Sequence, residues 1–154
     1  YVSALKDAGI TAQTVRSGVS FSVGGASFYI DPPHQTSYAS NSSNNSSLII
    51  EMTYGSTRFL FAGDAMTERL EEYLQEDRGT FQFLKVPSHG RWQDCLEDLF
   101  AAVQPQIAVL TAAAKEDTEE TTSSLEKMRA SVYQTSSGTV HVTSDGTTLS
   151  VSQE

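Results

Sequence analysis

The stretch from Ser46 to His89 constrains this chain most, because apolar segments inside it stop abruptly at polar residues. Arg58-Phe-Leu-Phe-Ala62 has the composition of a buried strand and ends at Gly63-Asp64. Residues 67–74 follow with apolar side chains at helical spacing. The pattern therefore predicts a strand, a sharp turn at Gly63 and a helix.

The same pattern recurs a few residues later. Phe81-Gln-Phe-Leu-Lys-Val86 predicts a second strand, and it is followed by Pro87-Ser88-His89-Gly90. A carboxylate and an imidazole, those of Asp64 and His89, are thus expected at the C-terminal ends of two successive strands. In α/β sheets that edge is where ligands bind.

Asp64 has two interpretations on spacing alone. Aspartate is a favoured N-cap residue, and Gly63 allows the turn that would place it before the next helix. A carboxylate at the end of a buried strand is equally suited to a metal-binding or catalytic role. The pattern favours neither interpretation.

Composition sets the outer bounds. A chain of 154 residues is most simply one domain, here residues 1–154, and is large enough for a hydrophobic core. The net charge of −9 disfavours a protein that binds a phosphate backbone through bulk electrostatics. It does not exclude a metal-dependent enzyme, because a bound dication would invert the local field. No apolar run approaches the length of about 20 residues that spans a membrane.

The remaining sequence predicts an α/β protein with a mixed sheet and helices on one face. Residues 34–47 are rich in Ser, Asn and Thr and predict a long, flexible polar loop inside the domain. The other predicted elements are helices at residues 1–8, 93–103 and 122–129, and strands at 12–15, 20–23, 27–30, 48–54, 106–111, 132–133, 139–143 and 148–151.

Several segments in this order resemble one family. Asn44-Asn-Ser-Ser-Leu-Ile-Ile50, Phe59-Leu-Phe-Ala-Gly-Asp-Ala65 and Leu84-Lys-Val-Pro-Ser-His-Gly90 resemble the C-terminal half of a metallo-β-lactamase-fold domain. Among such domains, the chain resembles the soluble domain of the DNA-uptake (competence) protein ComEC and its free-standing hydrolase relatives. Ile30-Asp-Pro-Pro33 and Gly138-Thr-Val-His-Val-Thr-Ser-Asp-Gly146 also fall in the expected order, so the resemblance covers nearly the whole chain.

The resemblance implies an αββα sandwich, of which this chain is roughly the C-terminal half, with a metal site at one edge. It also implies hydrolysis of a phosphodiester or ester bond by water activated on zinc or manganese. Asp64 matches the bridging carboxylate of the family, and His89 matches the second histidine of a His-His-Gly motif. Asn44 and Asn45 lie where many relatives outside this subgroup carry a histidine ligand, which makes Asn45 a weaker candidate ligand.

The departures from the family pattern indicate an eroded site. Ser88 stands where the first histidine of the pair is expected, and a serine is a poor zinc ligand. The first family motif, His-x-His-x-Asp-His, would precede Tyr1, and residues 113–118 replace a late histidine segment. The alternative function is therefore a non-catalytic binding or scaffold protein that keeps the fold without its metal ligands.

The other reactive residues suggest structural roles. His34 is predicted to be a surface histidine, and His141, between Val140 and Val142, an outward-facing strand residue. Cys95, the single cysteine, is predicted to be a buried helix residue, and one cysteine fits the cytosol as well as an exported bacterial protein. Arg91 and Trp92 follow His89 and are candidates to line a pocket.

A half-domain also predicts a partner. One sheet of an αββα sandwich would expose its apolar face to water unless a second chain covered it. We therefore expect these residues to pair with an N-terminal piece or with a second copy of the chain.

Overall fold

The computed structural model describes residues 2–154, and its main feature is one mixed sheet of seven strands in sequential order. Neighbouring strands are antiparallel from the first to the fourth and parallel from the fourth to the seventh. The strands are β1 (Val19–Val23), β2 (Ala26–Asp31), β3 (Ile49–Tyr54), β4 (Thr57–Phe61), β5 (Phe83–Lys85), β6 (Ile107–Leu110) and β7 (Ser131–Gln134).

Helices lie in the connections between strands, except for the first helix, which precedes β1. They are α1 (Val2–Asp7), α2 (Ser42–Asn45), α3 (Thr67–Tyr73), α4 (Leu96–Val103) and α5 (Glu119–Lys127). A hairpin of β8 (Val140–Ser144) and β9 (Leu149–Gln153) forms a separate sheet of two strands. The predicted α/β class with a mixed sheet is confirmed.

The main core lies between the sheet and its helices, which cover one face. Leu60, Leu84 and Leu110 point to this side from three adjacent strands and are fully buried. From the helices, Leu70, Leu96, Leu99 and Leu125 meet them with no exposed surface. Every residue of β6 is buried, as expected for a parallel strand that is covered on both faces.

The hairpin covers the second face of the sheet over β4 to β6. Phe59, Phe83, Ile107 and Val109 form a second buried cluster there, against apolar residues of β8 and β9. The turn between β3 and β4 also contacts the hairpin turn, because Ser56 N donates a hydrogen bond to Gly146 O at 2.7 Å. A Cβ at Gly55 would lie 2.1 Å from that carbonyl oxygen, so only glycine fits this approach.

The antiparallel side of the second face stays open. All of β1 is exposed, and Phe21 and Val23 keep 44% and 64% of their surface. Phe21 stacks on Phe28 of the neighbouring strand with the ring centroids 5.0 Å apart. The result is a run of apolar strand residues facing water.

The structure corrects some predicted elements. Residues 12–15 form no strand, and α5 begins at Glu119, before the expected start at Thr122. The predicted loop over residues 34–47 contains α2, and its Tyr38 and Asn45 are buried. Of the first predicted helix, Tyr1 lies outside the described residues. Within residues 2–154, no helix has the length and apolar character to cross a membrane.

Candidate functional site

Asp64 lies directly after β4, on a turn that the sequence makes possible. Gly63 has φ of +57°, a left-handed conformation that glycine adopts without strain. A Cβ at Gly63 would also come within 3.2 Å of the Ser47 side chain. The backbone N–H of Asp64 donates a hydrogen bond to Ser47 Oγ at 3.1 Å, which fixes the start of the loop.

The alternative role of Asp64 as a helix cap is wrong. Helix α3 begins at Thr67 and has no side-chain cap hydrogen bond at its N-cap position. Instead, Asn45 Oδ1 accepts hydrogen bonds from the backbone N–H groups of Met66 at 3.0 Å and Arg69 at 3.3 Å. Because Asn45 accepts the hydrogen bonds of these N–H groups, the Asp64 carboxylate is available to face the cleft.

His89 lies after β5 in a tight 3₁₀ turn, Pro87–Gly90, whose backbone is strained. Ser88 and His89 have φ of 46° and 59°, a left-handed conformation that side chains other than glycine rarely adopt. Such residues each cost about 1–3 kcal/mol and cluster at functional sites. Gly90 completes the turn at φ of 93°, where a Cβ would lie 2.6 Å from Leu110 Cδ2.

The imidazole of His89 is held between two elements. Its Nδ1 lies 3.1 Å from both the carbonyl oxygen and the Oγ1 of Thr111, which follows β6. Its Nε2 lies 3.3 Å from Asp64 Oδ1. Both side chains are about half exposed, so the pair is fixed in geometry yet open to a ligand.

The pair lies in a polar cleft of about 520 Å³ at the C-terminal edge of the parallel strands. The residues that line it carry three carboxylates and one guanidinium. They are Asn44, Asp64, Ser88, His89, Arg91, Glu116 and Asp117. This excess of negative charge favours a cation over an anion as the first ligand of the cleft.

The Asp64–His89 pair has the spacing of two ligands of one metal ion. Two donors about 2.0–2.1 Å from a tetrahedral ion lie about 3.3–3.4 Å apart, and Oδ1 and Nε2 are 3.3 Å apart. A metal-binding histidine also usually donates its second ring N–H to a carbonyl or carboxylate, and Thr111 O is in that position. The number of donors falls short, however: residues 2–154 contain no group of three or more His, Cys, Asp or Glu side chains that could hold a metal.

The remaining predicted site residues take other places. Asn45 is fully buried, and its amide nitrogen donates a hydrogen bond to Ser40 O, so the neighbouring Asn44 lines the cleft instead. The prediction that Asn45 is a ligand stays a prediction. Arg91 lines the cleft, whereas Trp92 packs against the main core and lines a separate pocket beside α5.

The other histidines and the cysteine lie away from the cleft. His34 Nε2 is 3.7 Å from Asp31 Oδ1, and His141 is exposed as predicted. Cys95 is buried as predicted, at the residue before α4, and burial raises the pKa of its thiol.

Sequence reasoning missed a buried ionic network beside the site. Arg69 has no exposed side-chain surface and pairs with Asp31, and its Nε donates a hydrogen bond to Ser47 O at 3.2 Å. Arg78 bridges Asp31 and Glu51, with nitrogen–oxygen distances of 3.3 Å to each. The one sequence signal was an arginine directly before Leu70, inside the apolar helix pattern.

Fold and site together define a mixed α/β protein with a carboxylate–imidazole pair at the C-terminal ends of two parallel strands. Comparison with protein-family models and with curated proteins gives no match to this chain.

Proposed function

We propose that this protein is a metal-dependent hydrolase of the metallo-β-lactamase superfamily, with Asp64 and His89 as metal ligands. Its substrates are phosphodiesters or esters, as the resemblance to ComEC-like domains implies. The observation that carries the proposal is the 3.3 Å separation of Asp64 Oδ1 and His89 Nε2 at the edge of the sheet. Bound zinc or manganese would supply a water molecule of lowered pKa as the nucleophile.

The residues of this chain prepare such a site in two ways. The contact of Nδ1 with the Thr111 carbonyl orients the His89 ring so that Nε2 faces Asp64, as a metal ligand requires. The turn at Gly63 and the bond from Asp64 N–H to Ser47 Oγ hold the carboxylate opposite that nitrogen. At least one further donor is needed, since structural and catalytic zinc sites use three or more protein ligands.

The open apolar surface supports the sandwich architecture of the proposal. The apolar cluster that includes hairpin β8–β9 extends from Met52 of β3 to Tyr133 of β7 and leaves β1 exposed, and a sheet of two strands has little stability alone. Further strands, from an N-terminal half or from a second copy, would extend that second layer over β1 and β2. A stable, monodisperse monomer with no bound partner in analytical ultracentrifugation would contradict this part of the proposal.

Elemental analysis of the purified full-length protein tests the metal site. We expect near-stoichiometric zinc or manganese in the wild type and its loss in Asp64→Ala and His89→Ala. Asp94→Ala is the matched control, because Asp94 is an exposed carboxylate outside the cleft. A positive result would justify a screen of phosphodiester substrates.

The second candidate function is a binding protein that has lost its catalytic metal. It is favoured by the buried Ser88, which stands where the resemblance expects a histidine, and by the short donor set of residues 2–154. Absence of metal from the wild type and from Asp64→Ala, with equal thermal stability, would support this function and contradict the hydrolase.

A further inference from the structure

Lys85 occupies an apolar row of the sheet. It is the last residue of β5, and its register neighbours on the two flanking strands are Phe61 and Val109. Side chains alternate along a strand, so Lys85 shares the face of Phe83, which packs against the hairpin. Among the residues that β4, β5 and β6 place on that face, Lys85 alone carries a charge. Burying an ammonium is unfavourable unless it is paired, so packing does not explain this lysine.

The ammonium of Lys85 contacts the loop that presents Asp64. Its Nζ donates a hydrogen bond to Gly63 O at 2.7 Å and lies 3.9 Å from Asp64 Oδ1, while 19% of the side chain is exposed. Burial lowers the pKa of Lys85, and the Asp64 carboxylate acts in the opposite direction. Lys85 itself does not line the cleft.

The hydrogen bond from Lys85 is made to the peptide group between Gly63 and Asp64. Gly63 C=O and Asp64 N–H belong to one planar unit, and that unit is held on both sides. Gly63 O accepts hydrogen bonds from Lys85 Nζ and from Ser88 N at 3.2 Å, and Asp64 N donates to Ser47 Oγ. Since Ser88 precedes His89, this peptide links the backbones that carry both members of the pair.

We propose that Lys85 is a positioning residue, whose ammonium holds the Gly63–Asp64 peptide and so orients the Asp64 carboxylate toward His89. The glycine at Gly63 has no side chain to restrain the turn, and the lysine supplies that restraint from the neighbouring strand. A charged donor is suited to this role because its hydrogen bonds are stronger than those of neutral donors.

Amide hydrogen exchange, measured residue by residue by NMR on the full-length protein, tests this role. In Lys85→Met we expect exchange at the amides of Asp64 and Ser88 to accelerate by about tenfold or more, as loss of a charge-assisted hydrogen bond implies. The amides of Leu60 and Leu110, in the strands beside the site, should keep their wild-type rates.

Two further variants separate positioning from other effects. Lys85→Arg restores a charged donor and should return the Asp64 and Ser88 amides to within about threefold of wild type. Lys127→Met removes an exposed charge from α5 and should leave both amides unchanged. Unchanged exchange in Lys85→Met would overturn the proposal, and so would equal acceleration at all four amides, which would show a loss of overall stability instead.

The inference deepens the proposed function, because ligands need a rigid support, but the exchange experiment requires neither metal nor substrate. A parallel titration with zinc and with manganese tests the proposed metal-dependent function separately. If the wild type binds either ion, Lys85→Met should weaken binding by about tenfold, the lower end of the effect of losing a supporting contact. If the wild type binds neither while the exchange pattern holds, the proposed function fails and the role of Lys85 stands.

Discussion

The two halves of the seven-stranded sheet are stabilised by different interactions on the face that the helices cover. In the parallel half, Leu60, Leu84 and Leu110 pack against apolar helix residues. In the antiparallel half, Asp31 and Glu51 point to the same side and meet arginines instead. Both halves bury their contacts, but one depends on apolar packing and the other on paired charges.

The second face shows the same division. The hairpin covers the parallel half, and the antiparallel half leaves Phe21 and Val23 exposed. The Asp64–His89 pair belongs to the parallel half, because it lies at the ends of β4 and β5. The cleft therefore lies on the parallel half of the sheet. The loop whose Ser47 accepts the hydrogen bond of Asp64 is linked to the antiparallel half by Arg69.

Removal of Arg69 should have the largest effect on stability. We expect Arg69→Ala to lower the free energy of unfolding by about 3–5 kcal/mol, because it removes the fully buried partner of Asp31, which keeps only its longer contacts with Arg78 and His34. Urea denaturation measures the change, and exposed Arg16 provides the control substitution to Ala. The Arg69→Ala, Asp31→Ala double variant should lose less than the sum of the single losses, and strict additivity would show that the pair is not coupled.

Truncation of one core leucine tests the packed half. Leu84→Ala should cost about 2–5 kcal/mol, since Leu84 is fully buried between the sheet and its helices. Phe21→Ala, on the open strand, should cost less than about 1 kcal/mol in the monomer, because much of its surface is already exposed. Equal costs in urea denaturation would mean that β1 is covered in solution.

Lowering the pH should reduce the stability of the antiparallel half before that of the parallel half, because paired charges stabilise it. Burial raises the pKa of Glu72, but hydrogen bonds from Tyr38, Gln35 and the His34 backbone, with the charge of Arg69, outweigh it and lower the pKa overall. A carboxyl whose pKa is lower in the folded state stabilises the fold above its unfolded value, near 4.5, and loses that contribution as pH falls through the folded value.

Glu72→Gln should therefore cost about 1–2 kcal/mol at pH 7 and progressively less below pH 4.5, because the wild type loses the same contribution as its carboxylate is protonated. The free energy of unfolding between pH 7 and pH 3 measures this. Parallel curves for the two proteins would contradict the assignment to Glu72.

The backbone strain at His89 should have the smallest effect on stability, and it arises at a residue of the proposed metal site. His89→Gly and His89→Ala both remove the imidazole, but only glycine relieves the left-handed backbone at φ of 59°. We expect the glycine variant to be more stable than the alanine variant by about 1 kcal/mol in thermal unfolding. A glycine variant no more stable than the alanine variant would show that the turn is unstrained.

Local sequence patterns were sufficient for the parts of the fold that depend on near neighbours. The apolar strands before Asp64 and His89 and the turns after them follow from residue type alone, and the structure brings the two side chains together. Their contact follows because β4 and β5 are adjacent and parallel. The Thr111 contact with His89 could not be predicted, because it requires β6 beside β5 as well.

The errors came from partners distant in the sequence. The sequence allows Asp64 as a helix cap, but in the structure Asn45, from an earlier loop, accepts a hydrogen bond from the N–H group of Met66 at that helix end. Arg69 resembles a surface residue of α3 unless the position of Asp31 is known. Residues 12–15 have strand composition, but no neighbouring strand pairs with them.

The docking of the hairpin turn has a consequence for the order of folding. Ser56 Oγ and Thr57 Oγ1 find their partners at Gly146 and Ser144, 90 and 87 residues further along the chain. Contacts of such long separation form late, because the loop must close before they contribute. Until then Phe59, Phe83 and Ile107 lack their cover, and a chain in that state exposes apolar surface that favours association with other chains or capture by chaperones.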